Sequence, residues 1–215
     1  MTTPSASIVD ALNWRYAVQM FDPKKTLAPE LLHTILESGR LAPSSIGLEP
    51  WKFIVVENPE VRVKLRAVSH NQAKVTDAAV LVIIAYRTDA ETHISRERIE
   101  RTARIQGQSA DSLNPLKQMM DSAIAGRAAK GTLNTWMQTQ AYIPFGMMIE
   151  TAALLGVDSG PMEGFLADEV DALLGLKEQG LHAASLLALG YRGDDPAALR
   201  PKVRRSFNDV VQFIR

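Results

Sequence analysis

The sequence contains no cysteine among its 215 residues. It therefore cannot form a disulfide, a thiolate metal site or a cysteine nucleophile, and this absence fits a reducing cytosol. It also lacks a charge excess, because 24 lysines and arginines balance 24 aspartates and glutamates. Its net charge thus favours neither nucleic acid nor a membrane surface as a partner, and we expect neither.

Long apolar runs are absent as well. The most membrane-like stretch, residues 141–157, is interrupted by Pro144, Gly146 and Glu150. It falls short of the roughly 20 apolar residues that span a bilayer. The N-terminus lacks the basic start and apolar run of a signal peptide. We therefore expect a cytoplasmic protein.

Several motifs with a defined chemistry do not occur. The four histidines show no metal-ligand spacing, and the patterns H-E-x-x-H, G-x-x-x-x-G-K and G-x-G-x-x-G are missing. The sequence therefore predicts no metal site, and it carries no phosphate-loop or dinucleotide-binding fingerprint.

The sequence does contain enough apolar material for a substantial core. Hydrophobic residues make up 46% of the chain, which at this length predicts one domain over residues 1–215 in preference to a tightly joined pair. Apolar residues at helical spacing predict helices at residues 5–16, 29–39, 58–68, 133–155 and 167–174. Apolar runs of strand length predict strands at residues 51–56, 78–86 and 183–191, the second of them covered on both faces.

The first helix carries two more detailed predictions. Ser5 or Ser7 is a candidate N-cap, because a short hydroxyl side chain can accept from the free N–H groups of the first turn. Ile8, Val9 and Leu12 recur at helical spacing and predict an inward-facing apolar side.

A loop of small polar residues follows the second helix, which Gly39 can end. Its backbone N–H groups, two hydroxyls and small side chains suit a polar ring edge or an anion. An ordinary connection from helix to strand has the same composition, so the residues alone leave both interpretations open. The loop consists of Pro43, Ser44, Ser45, Ile46 and Gly47.

The stretch from Leu41 to Phe53 resembles the corresponding loop of the nitroreductase family of FMN-dependent oxidoreductases, in which Pro-Ser-Ser is followed by Pro-Trp-x-Phe. Four further matches occur in the order that the family shows, and together they cover nearly the whole chain. They are Arg15 with Phe21-Asp22, Asn71 with Lys74, Pro161-Met162-Glu163-Gly164, and Lys202-Val203-Arg204.

The resemblance implies an α+β fold, a three-layer α/β/α sandwich with a mixed, mostly antiparallel sheet flanked by helices, assembled as an intertwined homodimer. Residues 88–132 would form a helical lid, and residues 206–215 a tail that packs on the partner subunit. The implied activity is ping-pong transfer of electrons from NAD(P)H through FMN to nitroaromatic, quinone or related small-molecule acceptors. Two alternatives stay open: a flavin-binding or storage protein without useful turnover, and a specialised dehalogenase or enoate reductase on the same fold.

The resemblance also implies roles for individual residues. Arg15, Lys202 and Arg204 would bind the FMN phosphate. Lys74 would place a cation near the pyrimidine end of the ring, where reduction adds negative charge, and Asn71 would bind the ring's donor and acceptor edge. No side chain is assigned as a catalytic acid or base, because the cofactor carries the chemistry. The other implied cofactor contacts are Tyr16, Ala17, Gln19, Pro161, Met162, the backbone N–H groups of Glu163 and Gly164, and the loop of Pro43, Ser44, Ser45, Ile46 and Gly47 from the second subunit.

Taken without the resemblance, these residues predict less. Arg15 reads as a solvated charge at a helix C-terminus, Lys202 and Arg204 as a basic tail, and Asn71 and Lys74 as polar caps of a helix end.

Two stretches depart from the family's pattern. Tyr16-Ala17-Val18-Gln19 follows the arginine, where familiar members have His-Ser or Arg-Ser and then a basic residue. Ile46-Gly47-Leu48-Glu49 stands where an asparagine and a glutamine are common. Both departures bear on the substrate more than on the cofactor.

Overall fold

The computed structural model describes the backbone of residues 4–215 and the side chains of residues 8–215. Within these residues the chain forms nine α-helices and four β-strands. The helices are α1 Pro4–Trp14, α2 Pro29–Arg40, α3 Pro59–Ala67, α4 Lys74–Asp77, α5 Ile94–Gln106, α6 Asn114–Ala128, α7 Leu133–Leu154, α8 Ala167–Leu174 and α9 Phe207–Val210. The strands are β1 Trp51–Val56, β2 Val80–Arg87, β3 Asp158–Met162 and β4 Leu181–Gly190.

The four strands form one sheet in the order β1-β2-β4-β3, and each neighbouring pair is antiparallel. A parallel bridge joins Ala17 to Ser159 at the β3 edge. The prediction that the strand at residues 78–86 is central is confirmed, because β2 lies between β1 and β4. The segment that contains Asn71 and Lys74 therefore leads directly into the middle of the sheet.

Helices cover both faces of this sheet. Alternate residues of β2 point to opposite sides: Val82 and Ile84 join a core with α2 and α7, and Leu81 and Ile83 join a core with α3 and α8. This alternation follows from the two-residue repeat of a strand. The predicted α+β fold with three layers is confirmed. No helix within residues 4–215 combines the length and the apolarity that a bilayer crossing requires.

The prediction that Gly39 ends α2 is wrong. The helix continues through this residue to Arg40, and Gly39 is buried. A Cβ at this position would lie 3.0 Å from Cγ of Met148 on α7 and 3.1 Å from the ring of Phe53. The glycine therefore allows α2 to approach α7 closely.

The sequence predicted no strand at Pro161-Met162-Glu163-Gly164, but the first two of these residues belong to β3. Proline lacks the N–H group that an interior strand needs, and β3 tolerates it because this strand lies at the edge of the sheet. Gly160 also belongs to β3, and a Cβ there would lie 2.9 Å from the carbonyl oxygen of Val18. The strand therefore runs close to the segment that follows α1.

Helix α1 differs from its prediction in two ways. It begins at Pro4, so that Ser5 and Ser7 lie inside the helix and neither is its N-cap. The apolar side expected to face inward is exposed in the single chain: Ile8 is 37% exposed, Val9 57% and Leu12 42%. Local periodicity identified an apolar stripe, but it could not identify what covers that stripe.

Candidate functional site

Five of the expected cofactor contacts line one pocket beside the end of α1. Arg15, Tyr16 and Ala17 form one wall, and Lys202 and Arg204 form another, around a volume of about 360 Å³. The segment with the two basic residues is neither helix nor strand, and the ammonium group of Lys202 donates a hydrogen bond to the carbonyl oxygen of Arg15. The fold thus brings together two cationic segments that lie 187 residues apart.

The pocket concentrates positive charge, and no carboxylate within residues 8–215 lines it. Burial, and then the positive charge of Arg204, lowers the pKa of Arg15. Burial, and then the charges of Arg15 and Arg204, lowers the pKa of Lys202. Nε of Arg15 is buried and has no hydrogen-bond partner among the described residues. Such a site is suited to an anion with several acceptor oxygens, because it would meet both the charge and the orphaned donor.

The segment after Arg15 is fixed on both sides. The N–H of Val18 donates to the carbonyl oxygen of Ser159 on β3 at 3.1 Å. The N–H groups of Gln19 and Met20 donate to one carboxylate oxygen of Asp195 at 2.9 and 3.2 Å. Val18 is fully buried, so the departure from the family's pattern at this position serves the core. The backbone here is rigid, which holds the wall of the pocket in place.

Tyr16 does not supply a charge to this pocket. Burial, and then the nearby Asp195, raises the pKa of Tyr16 to about 12. The guanidinium of Arg192 lies 4.7 Å from the Tyr16 ring and 4.3 Å from the Trp14 ring, and it pairs with the buried Asp158. Arg192 therefore packs these two aromatic residues into the wall instead of serving as a free cation.

Lys74 is a buried cation close to this segment. It is only 4% exposed, and its Nζ donates to Oε1 of Gln19 at 3.3 Å. Burial lowers the pKa of Lys74, and no described carboxylate acts on it. Lys74 does lie at a helix end, as the first residue of α4, but its side chain is buried and not exposed to solvent. A buried lysine without a counter-charge is costly, which makes it a candidate for binding a negatively charged ligand group.

Asn71 lies in the loop between α3 and α4. It is exposed and has a positive φ of 54°, a conformation that asparagine tolerates better than most residues. Nε of Arg66 donates to its Oδ1 at 2.9 Å. The side chain is therefore held in place although it faces solvent.

The end of β3 is connected to this loop. The side-chain Nε2 of Gln72 donates to the carbonyl oxygen of Gly164 at 2.7 Å, and a Cβ at Gly164 would lie 3.5 Å from Cδ2 of His70. Oε1 of Glu163 accepts from the hydroxyl of Tyr142 at 2.7 Å. Burial, and then Glu163, raises the pKa of Tyr142. Met162, on the strand itself, is buried. Tyr142 and Gln72 were missed in the sequence, since helical spacing assigned Tyr142 to the core and nothing local marked Gln72.

The loop from Pro43 to Gly47 does not line the pocket around Arg15 within the same chain. Its residues 45–47 form a short 3-10 turn. Ile46 has a φ of 49°, which is strained for a β-branched residue. The N–H of Ser45 donates to Gln140 of α7 at 2.7 Å, and Oγ of Ser44 accepts from the N–H of Glu49 at 2.8 Å. Strain held by specific hydrogen bonds is typical of a loop that is shaped for binding.

Helix α5 also holds this loop. The carboxylate of Glu49 pairs with Arg98 at 3.1 Å and with Arg101 at 2.9 Å. A Cβ at Gly47 would lie 3.0 Å from Nη2 of Arg98. The glutamate that departs from the family's pattern is thus bound within its own chain, to the segment expected to form the lid.

One grouping of possible metal ligands occurs in the part of the chain that the structure describes. Asp168, Asp171 and His182 place ligand atoms within 4.8 Å of one another. The buried Asp171 already accepts from the N–H of Ala183 at 2.9 Å and pairs with His182 at 2.5 Å, while Asp168 pairs with Lys177. These contacts account for the grouping as a structural network.

The comparison with known families agrees with this fold. The model of the Nitroreductase family matches residues 12–191. The chain therefore belongs to the nitroreductase family. A curated relative named "Putative NAD(P)H nitroreductase YfkO", from Bacillus subtilis, is 38% identical, and the match covers 100% of both chains.

Solved structures show the same architecture. A Bacillus subtilis protein named "putative nitroreductase ydfN" has a TM-score of 0.86 at 21% identity, covering 98% of this chain and 100% of that one. A protein from Exiguobacterium sibiricum named "putative nitroreductase", solved in complex with FMN, has a TM-score of 0.77 at 22% identity, covering 100% of this chain and 99% of that one. At these identities the likeness establishes the fold.

Proposed function

We propose that this protein is an FMN-dependent oxidoreductase that takes electrons from NAD(P)H and passes them to nitroaromatic, quinone or related acceptors by a ping-pong mechanism. The observation that carries the proposal is the pocket of Arg15, Lys202 and Arg204, in which the buried Arg15 Nε has no hydrogen-bond partner within the described part of the chain. The printed name of the B. subtilis relative and the FMN complex of the E. sibiricum protein support it.

The residues present fit FMN. Arg15, Lys202 and Arg204 would hold the phosphate by charge-assisted hydrogen bonds. Lys74 and Asn71 would hold the ring. When bound, FMN supplies the redox chemistry, receiving a hydride from nicotinamide and passing electrons to the acceptor.

The chain's own residues would orient the ring and balance its charge. The buried ammonium of Lys74, which donates to Gln19, would provide a fixed positive charge for the electron-rich part of the reduced ring. Gly164, which has no side chain, would let its backbone N–H approach the ring. Because one cofactor would be reduced by NAD(P)H and reoxidised by the acceptor at the same site, ping-pong kinetics are expected.

A visible absorbance spectrum of the purified protein tests this function. FMN gives bands near ~370 and ~450 nm, and anaerobic addition of NADH or NADPH should bleach them. Addition of a nitroaromatic or a quinone should then restore the colour. Chemical reduction with dithionite is the control that shows the bound flavin to be accessible.

Each other outcome decides between the alternatives. Bound FMN that dithionite bleaches but NAD(P)H does not would favour a flavin-binding or storage protein. Bleaching by NAD(P)H followed by recolouring only with a halogenated substrate or an enoate would favour a specialised reductase. Protein that neither contains FMN nor can be reconstituted with it would refute the proposal.

We also propose that the protein acts as a homodimer whose site is shared between subunits. Ile8, Val9 and Leu12 form an exposed apolar stripe on α1, and Phe213 and Ile214 are 68% and 92% exposed in the tail. Burial of these side chains against a second copy would remove apolar surface from water. The loop from Pro43 to Gly47 would then face the flavin held by the other subunit.

Light scattering on a sizing column tests the dimer. We expect twice the chain mass of 23.6 kDa for the wild type and a shift toward monomer for Leu12→Glu. The variant should bind FMN at least about tenfold more weakly, because the contacts from the loop of the second subunit would be lost. Val63→Glu, at a 61% exposed position on α3, is the matched control and should change neither property. A monomer that binds FMN as tightly as the wild type would contradict the shared site.

A further inference from the structure

Two arginines of α3 reach across the segment that leads into β2. Arg62 is buried, and its guanidinium donates to the carbonyl oxygens of Val75 and Ala79 at 2.8 and 3.2 Å. These contacts satisfy carbonyl groups at the end of α4, and burial lowers the pKa of Arg62. Arg62 therefore stabilises the backbone but touches no side chain that is implicated in cofactor binding.

Arg66, one turn further along α3, makes a different set of contacts. Its Nε donates to Oδ1 of Asn71 at 2.9 Å, and its Nη1 donates to the hydroxyl of Thr76 at 3.0 Å. The carbonyl oxygen of Arg66 accepts from the N–H of Asn71 at 3.1 Å. One residue thus holds Asn71 through both its side chain and its backbone.

These contacts determine which way the Asn71 amide faces. A guanidinium can only donate, so the atom of Asn71 that meets Arg66 must be the oxygen. No described residue accepts a hydrogen bond from the Asn71 NH2 group, and the side chain is exposed. The free polar group that Asn71 presents is therefore a pair of hydrogen-bond donors.

We propose that Arg66 is a positioning residue that fixes the Asn71 amide with its NH2 group outward, so that Asn71 donates to an acceptor atom of the flavin ring. This inference rests on the proposed function. The edge of the ring carries acceptor carbonyl groups beside a donor N–H, and a freely rotating amide would bind either. With Arg66 bound to its oxygen, the Asn71 amide can only donate to the ring. This hydrogen bond would become stronger on reduction, because the ring carbonyl groups then carry more negative charge.

The loop that carries Asn71 has a strained backbone. His70 and Asn71 both have positive φ, 52° and 54°, so two consecutive residues are held in a sparsely populated conformation.

The hydroxyl of Thr76 has one hydrogen, which it donates to Ala73 or Asp77, and it accepts from Arg66. The guanidinium is therefore itself held in a fixed orientation when it meets Asn71.

Substitutions of Arg66 and of Asn71 distinguish an effect on the orientation of the Asn71 amide from a general effect on the stability of the protein. Arg66→Met frees the amide of Asn71, and we expect the dissociation constant of FMN to rise about five- to tenfold and the midpoint potential of bound FMN to fall. Arg66→Lys keeps the charge but lacks the rigid fork of donors with which arginine meets Asn71 and Thr76, so it should give an intermediate loss. Asn71→Asp keeps the pairing with Arg66 but presents an acceptor oxygen, and should weaken binding about 30-fold.

Lys64→Met, at an exposed position on α3, is the control and should change neither the potential nor the visible spectrum of bound FMN. Thr76→Val removes the second partner of Arg66 and leaves the bond to Asn71, so it should lower the potential less than Arg66→Met does. A potential that is unchanged in Arg66→Met, or shifted equally in Arg66→Met and Thr76→Val, would overturn the positioning role. Wild-type protein that fails to bind FMN would instead refute the proposed function.

Discussion

Replacing Arg15 with methionine is expected to weaken FMN binding about 100-fold and to raise the melting temperature of the apoprotein. The loss follows because a charge-assisted hydrogen bond to a phosphate contributes on the order of 1.5–3 kcal/mol, and Arg15 supplies more than one donor. The gain follows because Arg15 and Arg204 repel each other in the apoprotein, and because Arg15 Nε is buried with no hydrogen-bond partner among residues 8–215. Titration with FMN and thermal melts of the apoprotein measure the two effects.

Arg205→Met is the matched control for this prediction. Arg205 adjoins Arg204 in the basic segment but is exposed and does not line the pocket. It should leave the dissociation constant of FMN within about twofold of the wild-type value. Arg15→Lys keeps the charge but loses the paired donors, and an intermediate affinity is expected. Equal losses in Arg15→Met and Arg205→Met would show that net charge, and not the pocket, binds the phosphate.

The substitution Lys74→Met is expected to stabilise the apoprotein by about 1–3 kcal/mol and to lower the midpoint potential of bound FMN. Lys74 is 4% exposed and its pKa is lowered by burial alone, so its charge destabilises the folded apoprotein. Methionine fills a similar volume without a charge. The same change removes the cation that would stabilise the reduced ring. Denaturant unfolding and spectroelectrochemistry measure the two effects.

The difference in the free energy of unfolding between Lys74→Met and the wild-type apoprotein should shrink as the pH rises. A lysine whose pKa is lower in the folded state binds fewer protons there than in the unfolded state, at pH values between the lowered pKa and 10.5. Within this window the stability of the wild-type apoprotein rises with pH. The advantage of Lys74→Met is therefore largest below the lowered pKa and shrinks as the pH approaches 10.5. An advantage that is constant across this window would contradict the assignment of the cost to the buried charge.

Lys64→Met provides the control, because Lys64 lies exposed on α3. It should change neither the stability nor its dependence on pH. Saturating FMN should reduce the stability difference between Lys74→Met and the wild type. The wild type is expected to bind FMN more tightly, and a ligand stabilises the folded state more when it binds more tightly. A variant that gains stability and keeps the wild-type potential would show that Lys74 does not act on the ring.

The sequence predicted the regular elements well where local patterns specify them. The strand at residues 51–56 and the helix at residues 167–174 have the predicted bounds, and the central position of the strand at residues 78–86 is confirmed. These elements carry a clear apolar run or helical spacing, which local side-chain geometry reads directly. The edge strand β3 was missed because Gly160 and Pro161 give it the composition of a turn.

The candidate site divides in a similar way. The family resemblance named Arg15, Lys202 and Arg204, and the fold brings them into one pocket. It did not name Arg66 or Tyr142, because each acts through one contact to a residue in another element. Such a contact leaves no periodic signal in the sequence. The roles of the named residues toward FMN stay predictions that the substitutions above can test.

The sequence by itself determined the family, the layers of the fold and the residue types that a flavin site requires. Only the tertiary structure decided that Lys74 is buried beside Gln19, that Glu49 is paired with Arg98 and Arg101, and that the apolar stripe of α1 is exposed in the single chain. The physical reason is range. Propensity and periodicity act within a few neighbouring residues, whereas the burial of a charge and the partner of a side chain depend on segments that folding brings together from distant parts of the chain.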